Sequence, residues 1–254
     1  MTIKTATLNG VLTIEIARPD KKNALTRDMY QAMADALVAA NTDKAVRAVL
    51  FQGQPGMFTA GNDIEDFMGN PPREENAPVF QFMRALLACE KPVIAAVAGP
   101  AIGIGTTMLL HCDFVYVADD ARLAMPFVAL GLVPEFGSSL VVPRLMGQRL
   151  AAEKLLLGDP FTGAQAVECG IANAVLPAAE VVNHARRVAE RFSKLAPSAV
   201  RESKRLMRAP DAEQLMATIR TEAEIFSARL RSPEAMEAFQ AFFQKRQPDF
   251  SKFD

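Results

Sequence analysis

The sequence predicts a fold of mixed α/β class, in which strands and helices are wound together in layers. Three short apolar runs rich in valine, at residues 46–51, 93–97 and 114–117, are separated by helix-like or glycine-containing segments. From Thr162 onward helical patterns dominate. A chain of 254 residues, 50% of them apolar, can bury one substantial core. We therefore expect a single α/β domain with a helical C-terminal part.

The N-terminal segment predicts two antiparallel strands followed by a helix. Residues 2–8 and 11–17 are strand-like and are joined by Asn9 and Gly10, a pair that suits a tight hairpin turn with positive φ. Thr26 can cap the next helix. The apolar residues of that helix recur every three to four positions, so one face should pack inward. They are Met29, Met33, Leu37 and Ala40.

Two later segments also have clear patterns. Residues 69–76 are polar and rich in proline, which predicts a mobile surface loop. The residues from Thr162 to Gln165 form a capping-box pattern, whose helix should stop near Gly170. Three apolar stripes at helical spacing follow. They are Val181, Ala185, Val188, Phe192 and Leu195; then Leu215, Ile219, Ala223, Phe226 and Leu230; then Met236, Phe239 and Phe243.

Composition argues against several classes of protein. A net charge of −1 argues against nucleic-acid binding, which usually requires a basic surface. No apolar stretch approaches the roughly 20 residues that cross a bilayer, and the N-terminus lacks the pattern of a signal peptide. We therefore expect no membrane span and a cytoplasmic location. The three cysteines are scattered and the histidines number two, so no metal site is expected.

Two glycine-bearing loops are the first candidates for chemistry. One covers residues 58–64, after the first valine-rich run, and the other covers residues 98–105, after the second. A helix that begins after each loop would leave its first N–H groups unpaired, and two such groups converging on one oxygen form an oxyanion hole. Taken alone, each loop is better explained as a tight strand-to-helix turn. A dinucleotide site would need glycine where Met108 stands.

Glu135 is the third candidate, because it is the one carboxylate in the otherwise uncharged residues 124–139. Burial among such neighbours raises the pKa of a glutamate, whereas a helix N-terminus at this point would lower it. A carboxylate tuned between these effects can serve as a proton-transfer base. Without other information, a helix-capping role for Glu135 is the better interpretation.

Taken together and in this order, the motifs resemble the crotonase (enoyl-CoA hydratase/isomerase) superfamily over nearly the whole chain. The matching segments are Arg18-Pro19, Asn23-Ala24-Leu25, Ala60-Gly61-Asn62-Asp63-Ile64, Ala96-Val97-Ala98-Gly99, Cys112-Asp113 and Phe243-Gln244-Lys245-Arg246 with Phe250. The resemblance implies a ClpP-like spiral of ββα units. Residues 1–195 would form the core with an acyl-CoA site, and residues 196–254 a helical trimerisation region. It also implies a homotrimer or a dimer of trimers, and no cofactor apart from the coenzyme A of the substrate.

The resemblance also implies the residues of the site. In that family two backbone N–H groups hold the thioester oxygen and stabilise the enolate, and the resemblance places them on Asn62 and Ile104. The family's hydratases carry two glutamates at positions that fall here on Thr107 and Phe127, so efficient hydration is not expected. Lys245 is expected at a CoA phosphate, although exposed lysines are often only solvated surface. The residues implied in substrate binding are Ala60, Asp63, Phe127, Lys21 and Lys245.

Glu135 resembles the glutamate of the peroxisomal-type Δ3,Δ2-enoyl-CoA isomerases, in a pattern that covers Leu130 to Glu135 followed by Ser138 and Ser139. One carboxylate over the acyl chain can remove a proton from the α-carbon and return it to the γ-carbon. The resemblance thus implies an isomerase that prepares unsaturated acyl chains for β-oxidation, with Glu135 as the single acid and base. The alternatives are another enolate reaction, such as that of a hydratase, decarboxylase or thioesterase, and a noncatalytic binding protein of the same fold.

Overall fold

The computed structural model describes residues 2–72 and 76–253, so part of the predicted loop at residues 69–76 lies outside the described residues. The strands, in chain order, are β1 (Ile3–Leu8), β2 (Val11–Ile16), β3 (Ala48–Gln52), β4 (Val93–Val97), β5 (Pro100–Ile102), β6 (Phe114–Ala118), β7 (Arg122–Ala124), β8 (Phe161–Thr162) and β9 (Ala174–Leu176). The helices are α1 (Arg27–Thr42), α2 (Ile64–Gly69), α3 (Pro78–Leu87), α4 (Ile104–Thr107), α5 (Ser138–Met146), α6 (Gln148–Ala152), α7 (Gly163–Glu168), α8 (Val181–Arg191), α9 (Pro197–Arg208), α10 (Ala212–Arg229) and α11 (Pro233–Phe243).

The predicted α/β class is confirmed by a six-stranded sheet of order β1-β2-β3-β4-β6-β9. The first two strands form the predicted hairpin, with φ values of 52° at Asn9 and 80° at Gly10. All other neighbours in this sheet are parallel. The three valine-rich runs form its central strands β3, β4 and β6. Because parallel strands end at a common edge, the segments that follow β3 and β4 start close together.

Both faces of the sheet are covered, as expected for parallel strands. Along β3, Val49 and Phe51 face a core cluster that includes α1 and α3, whereas Leu50 faces a second cluster that includes α8. The alternation follows from the two-residue period of a strand. Val181 and Ala185 of the first predicted stripe are fully buried in that second cluster.

The helix starts were predicted with mixed success. Thr26 stands at the N-cap of α1, but its side chain makes no capping hydrogen bond. The carboxylate of Asp66 takes its place and accepts a hydrogen bond from the Arg27 N–H group at 2.7 Å, because a charged acceptor suits a helix N-terminus better than a hydroxyl. The capping box at Thr162 and Gln165 is confirmed, with both reciprocal hydrogen bonds present.

Three residues of the predicted apolar stripes are about half exposed. Leu195 lies beyond the end of α8, which stops at Arg191. Met236 and Phe243 are seven residues apart and share a face of α11 with Phe239, which is buried. The apolar spacing of the stripes therefore does not make these three residues part of the core.

The C-terminal helices are fixed to the core by buried charges as well as apolar contacts. Lys204 and Arg208 of α9 both donate to the Asp113 carboxylate, at 2.6 and 2.8 Å. The same carboxylate accepts from the Val93 N–H group at 2.8 Å. Within residues 2–72 and 76–253, no helix is long and apolar enough to cross a membrane. No group of three or more His, Cys, Asp or Glu side chains in these ranges could hold a metal ion.

Candidate active site

The two glycine-bearing loops lie side by side. The Thr59 N–H group donates to the Pro100 carbonyl at 3.0 Å, and the Ile102 N–H group donates to the Thr59 carbonyl at 3.1 Å. Residues 100–102 are therefore a strand rather than a loop, and this strand, β5, joins a small sheet of order β5-β7-β8. Gly61 has a φ of 86°, and a Cβ there would lie 2.7 Å from the Ile102 carbonyl oxygen. The close contact of the loops thus requires glycine at position 61.

The N–H groups of Asn62 and Ile104 are the two candidate donors of the site. Asn62 lies between Gly61 and Asp63, whose own N–H groups both donate within the chain. Ile104 is the first residue of α4 and follows Gly103, which has a φ of 57°. Over the ranges that the structure describes, neither the Asn62 nor the Ile104 N–H group donates a hydrogen bond. Two such donors can hold an oxygen atom that develops negative charge.

Glu135 belongs to a third segment, which leads into α5. The next two residues, Phe136 and Gly137, have φ values of 57° and 76° and form a tight turn. The Glu135 side chain is 7% exposed, and its Oε1 atom accepts a hydrogen bond from the Thr107 hydroxyl. Thr107 is the last residue of α4, so this short helix carries the Ile104 N–H group at its start and the partner of Glu135 at its end.

The N-terminus of α5 is capped by a residue from far along the chain. Glu222 of α10 accepts hydrogen bonds from the Gly137 N–H group at 2.6 Å and the Ser139 N–H group at 2.9 Å. It also accepts one from the Ser139 hydroxyl. The interpretation of Glu135 as a helix cap is therefore wrong, because its side chain turns toward Thr107 instead.

The environment of Glu135 favours the protonated carboxyl group. Burial raises the pKa of Glu135 to about 8, the hydrogen bond from Thr107 lowers it, and the charge of Glu222 raises it. A carboxylic acid with this pKa is largely protonated at pH 7 and ionises as the pH rises through 8. Such a group can both accept a proton from a carbon acid and return it.

Two buried titratable groups near this carboxyl group are neutral at pH 7. Burial raises the pKa of Tyr30 well above its ordinary value, and the charge of Glu135 adds to this rise. Burial lowers the pKa of His111 to about 4. The His111 Nε2 atom lies 2.6 Å from the Phe136 carbonyl oxygen, which accepts the hydrogen bond of the neutral ring.

Glu135 and Asn62 line the same small cavity, of about 20 Å³. This volume is close to that of one water molecule. The remaining walls are almost entirely apolar and come mainly from α2, α3 and α10. They are Phe67, Pro72, Val79, Phe80, Met83, Phe136, Ile219, Ala223 and Phe226. The structure thus places a carboxyl group and one of the two candidate donor residues on one largely apolar chamber.

Two residues expected in substrate binding have clear structural contacts. Asp63 forms an ion pair with Arg18 at 2.6 Å and caps α2 by accepting from the Asp66 N–H group at 3.1 Å. Both contacts hold the loop that presents Asn62. Phe127 is buried, and its ring packs edge-on against that of Phe226, a residue of the cavity wall.

The other expected binding residues lie away from the cavity. The Ala60 N–H group donates to the Lys22 carbonyl at 3.1 Å, so the turn that carries Lys21 lies next to the first loop. Lys21 is exposed. Lys245 is also exposed and follows the end of α11. Neither lysine side chain lines the cavity that contains Glu135.

Sequence reasoning missed two polar residues beside the site. The Tyr30 hydroxyl donates to the Asn62 side-chain oxygen, and Glu222 caps the helix that follows Glu135. Tyr30 stands next to Met29 on the inward face of α1. Glu222 lies within the apolar stripe between Ile219 and Phe226. A polar group on a buried helical face was the available signal in both cases.

Comparisons with known proteins support one family. Residues 6–252 match the family model described as enoyl-CoA hydratase/isomerase. Enoyl-CoA delta isomerase 2 of Rattus norvegicus is 35% identical over 243 residues, which cover 93% of this chain. The chain spans only 62% of the length of that rat protein. The 2,3-dehydroadipyl-CoA hydratase of Escherichia coli K12 is 30% identical over 94% of both chains.

Solved structures agree with this relationship. Pseudomonas aeruginosa OdaA is 58% identical, covers 95% of this chain and 98% of its own, and superposes with a TM-score of 0.93. An enoyl-CoA hydratase/isomerase from Pseudoalteromonas atlantica T6c is 41% identical over 98% of this chain and 100% of its own, also with a TM-score of 0.93. The chain therefore belongs to the enoyl-CoA hydratase/isomerase family and has the α/β crotonase fold.

Proposed function

We propose that the protein moves the double bond of an enoyl-CoA thioester from position 3 to position 2, with Glu135 as the single acid and base. The observation that carries this proposal is the cavity shared by Glu135 and Asn62. Among the described residues of its wall, Glu135 is the one with a titratable side chain. A single group of this kind suits a reaction that removes a proton and gives the same proton back.

The reaction begins when the thioester oxygen accepts hydrogen bonds from the N–H groups of Asn62 and Ile104. The ionised Glu135 then takes a proton from the α-carbon, and the electron pair spreads over the thioester and the adjacent double bond as a dienolate. Protonated Glu135 returns the proton to the γ-carbon, so the carboxylate is regenerated. Loss of one N–H donor in such a site typically costs about 2.7 to 4 kcal/mol of barrier.

The second candidate function is addition of water to a 2-enoyl-CoA, because hydratases are found among the relatives at about 30% identity. Against it, Thr107 and Phe127 occupy the positions of the two glutamates in the hydratases that the sequence resembles. The Thr107 hydroxyl donates to Glu135, and Phe127 is a buried apolar ring. Neither side chain can deprotonate water. Isomerisation is therefore the better proposal.

The remaining parts of the proposal concern the substrate and the assembly. Coenzyme A is part of the substrate, and no further cofactor takes part. Lys21 and Lys245 are the proposed contacts for its phosphates, with Lys245 acting on the site of a neighbouring subunit. A homotrimer or a dimer of trimers would provide that neighbour. The half-exposed Met236 and Phe243 of α11 suit such contacts.

The decisive experiment replaces Glu135 with glutamine, which keeps the size of the side chain and removes its basicity. The purified variant and the wild type are given a 3-enoyl-CoA, and the 2-enoyl-CoA product is separated by chromatography. We expect a fall in kcat of about 10² to 10⁴, the usual contribution of a positioned acid and base. Affinity for a saturated acyl-CoA, measured by calorimetry, should stay within a few-fold.

A matched control is Glu168→Gln, which makes the same change at an exposed position at the end of α7. It should keep wild-type turnover. Retention of isomerisation by Glu135→Gln would refute the assignment. Formation of a 3-hydroxyacyl-CoA from 2-enoyl-CoA, faster than any shift of the double bond, would favour the hydratase instead.

A further inference from the structure

Glu222 is a buried carboxylate for which the proposed reaction gives no role. It is 6% exposed and lies in the middle of α10. Its two oxygen atoms accept hydrogen bonds from the main chain of Gly137 and Ser139, the second and fourth residues after Glu135. Burial of a charged group is costly unless hydrogen bonds satisfy it, and these donors do so.

The contact between α10 and this turn is tight. A Cβ atom at Gly137 would lie 2.4 Å from the Leu215 Cδ1 atom, so α10 packs directly on the turn that carries Glu135. Ile219 and Phe226 of the same helix form part of the wall around the Glu135 carboxyl group. One helix therefore supplies both a wall of the cavity and an anchor for the segment that bears the base.

Glu222, rather than Glu135, is the carboxylate that contacts the N-terminus of α5. Unpaired N–H groups at a helix N-terminus stabilise a nearby negative charge. Glu222 occupies two of these groups, so they do not favour the ionised form of Glu135. The charge of Glu222 also raises the pKa of Glu135, since like charges disfavour ionisation.

Among the residues that the structure describes, Glu222 is the main charged influence on Glu135. Tyr30 comes from α1 and His111 from the turn after α4, and both are neutral at pH 7. Thr107 contributes a hydroxyl, and Asn62 contributes an amide on the cavity wall. The side chains that α3 presents to the cavity are apolar.

We propose that Glu222 is a positioning residue that fixes the turn bearing Glu135 and withholds the N-terminus of α5 from the Glu135 carboxylate. The kinetic consequence rests on the proposed function, because it assumes that Glu135 is the base. The effect on the titration of Glu135 does not rest on it.

The test uses Glu222→Gln, which has nearly the same shape but lacks the charge and can accept through only one oxygen. The ¹³C resonance of the Glu135 carboxyl group is followed against pH in labelled full-length protein, and it is assigned by its absence from Glu135→Gln. We expect the titration midpoint of the Glu135 carboxyl group to be about one pH unit lower in Glu222→Gln than in the wild type. The rising limb of the pH profile of kcat/KM for isomerisation should move in the same direction, with kcat lowered roughly tenfold.

Two further variants make the result decisive. Glu224→Gln makes the same substitution two residues away on the exposed side of α10 and should leave the midpoint and turnover unchanged. Glu222→Met removes the charge and all the hydrogen bonds with little change in volume, and its midpoint should also fall. It replaces the glutamine variant if the latter does not fold, as judged by thermal unfolding and gel filtration.

The possible failures are distinguishable. A Glu135 midpoint that stays in place or rises in a folded Glu222 variant would overturn the inference, whatever the enzyme catalyses. If the wild type does not isomerise 3-enoyl-CoA, the proposed function fails. A fall of the midpoint would then still support the role of Glu222.

Discussion

The loops that carry Asn62 and Ile104 contact each other through backbone hydrogen bonds between Thr59 and β5, whereas Glu135 is held by side chains from distant parts of the chain. Thr107 is 28 residues from Glu135, and Glu222 is 85 residues from Gly137. The part of the site formed by these two loops, called the loop side, depends on backbone shape at a few glycines. The part formed by Glu135 and its contacts, called the base side, depends on polar side chains from α4 and α10. Substitutions on the loop side should therefore disturb geometry, and those on the base side should disturb proton affinity.

The largest effect in this comparison is expected from Gly61→Ala. A Cβ atom there would lie 2.7 Å from the Ile102 carbonyl oxygen, so the two loops must separate. Under the proposed function, the N–H groups of Asn62 and Ile104 would then no longer meet the same oxygen. We expect kcat for isomerisation to fall by about 10² to 10³, the usual loss for one oxyanion donor.

Gly56→Ala is the matched control for this loop variant. Gly56 also has a positive φ, of 74°, but its Cβ would meet no atom within 4 Å. The control therefore shares the backbone strain without the collision between the loops. Equal losses of activity in the two variants would contradict the argument, because backbone strain alone would then explain both.

A smaller effect is expected on the base side from Thr107→Val, which keeps the shape of the side chain and removes the hydrogen bond to Glu135. That bond lowers the pKa of Glu135, so its loss should raise the pKa further above the ordinary value. Less of the carboxyl group is then ionised at pH 7, and kcat/KM should fall roughly tenfold there. The fall should shrink as the pH of the assay is raised.

The control for the threonine variant is Thr42→Val, at an exposed position at the end of α1. Its pH profile of kcat/KM should match that of the wild type. A pH-independent loss in Thr107→Val would mean that Thr107 acts through shape rather than through the proton affinity of Glu135.

A third effect concerns folding stability. The pKa of Glu135 is about 8 in the folded chain and near the ordinary 4.5 when unfolded, so the folded form holds its proton more tightly. The stability that comes from this proton is present below pH 4.5 and is lost as the pH rises to 8. Glu135→Gln has no such loss. The difference in free energy of unfolding between this variant and the wild type, measured by chemical denaturation, should grow by about 1.4 kcal/mol per pH unit from pH 4.5 to pH 8.

This gain should be absent between pH 3 and 4, which serves as the internal control. A constant difference between the variant and the wild type from pH 4 to pH 8 would show that the carboxyl group is not held protonated by burial.

The sequence predicted the loop side of the site better than the base side. Glycine patterns after apolar strands are local signals, and both loops lie where these patterns place them. Glu135 was found because it is alone in an uncharged stretch, and its burial agrees with that reasoning. The roles of Asn62, Ile104 and Glu135 in catalysis remain predictions. Only the resemblance to a family connected these residues with acyl-CoA chemistry.

The contacts that sequence reasoning missed all depend on distant parts of the chain. Asp66 rather than Thr26 caps α1, and Glu222 rather than Glu135 caps α5. In both cases a carboxylate from another helix replaced the local residue. A sequence pattern identifies a helix start from its neighbours, but tertiary packing decides which acceptor reaches it. The exposure of Met236 and Phe243 beside the buried Phe239 also depends on tertiary packing, which the spacing alone does not show.

The chamber beside Glu135 holds little more than one water molecule, although an acyl chain is many times larger. Under the proposed function, an acyl chain that enters this chamber displaces aromatic and aliphatic side chains of α3 and α10 that line it. On this proposal, preference for short or long acyl chains would depend on how far these two helices can move apart. Under the proposed function, α10 takes part in both substrate entry and catalysis, because the helix that moves for the acyl chain also carries the carboxylate that holds the turn after Glu135.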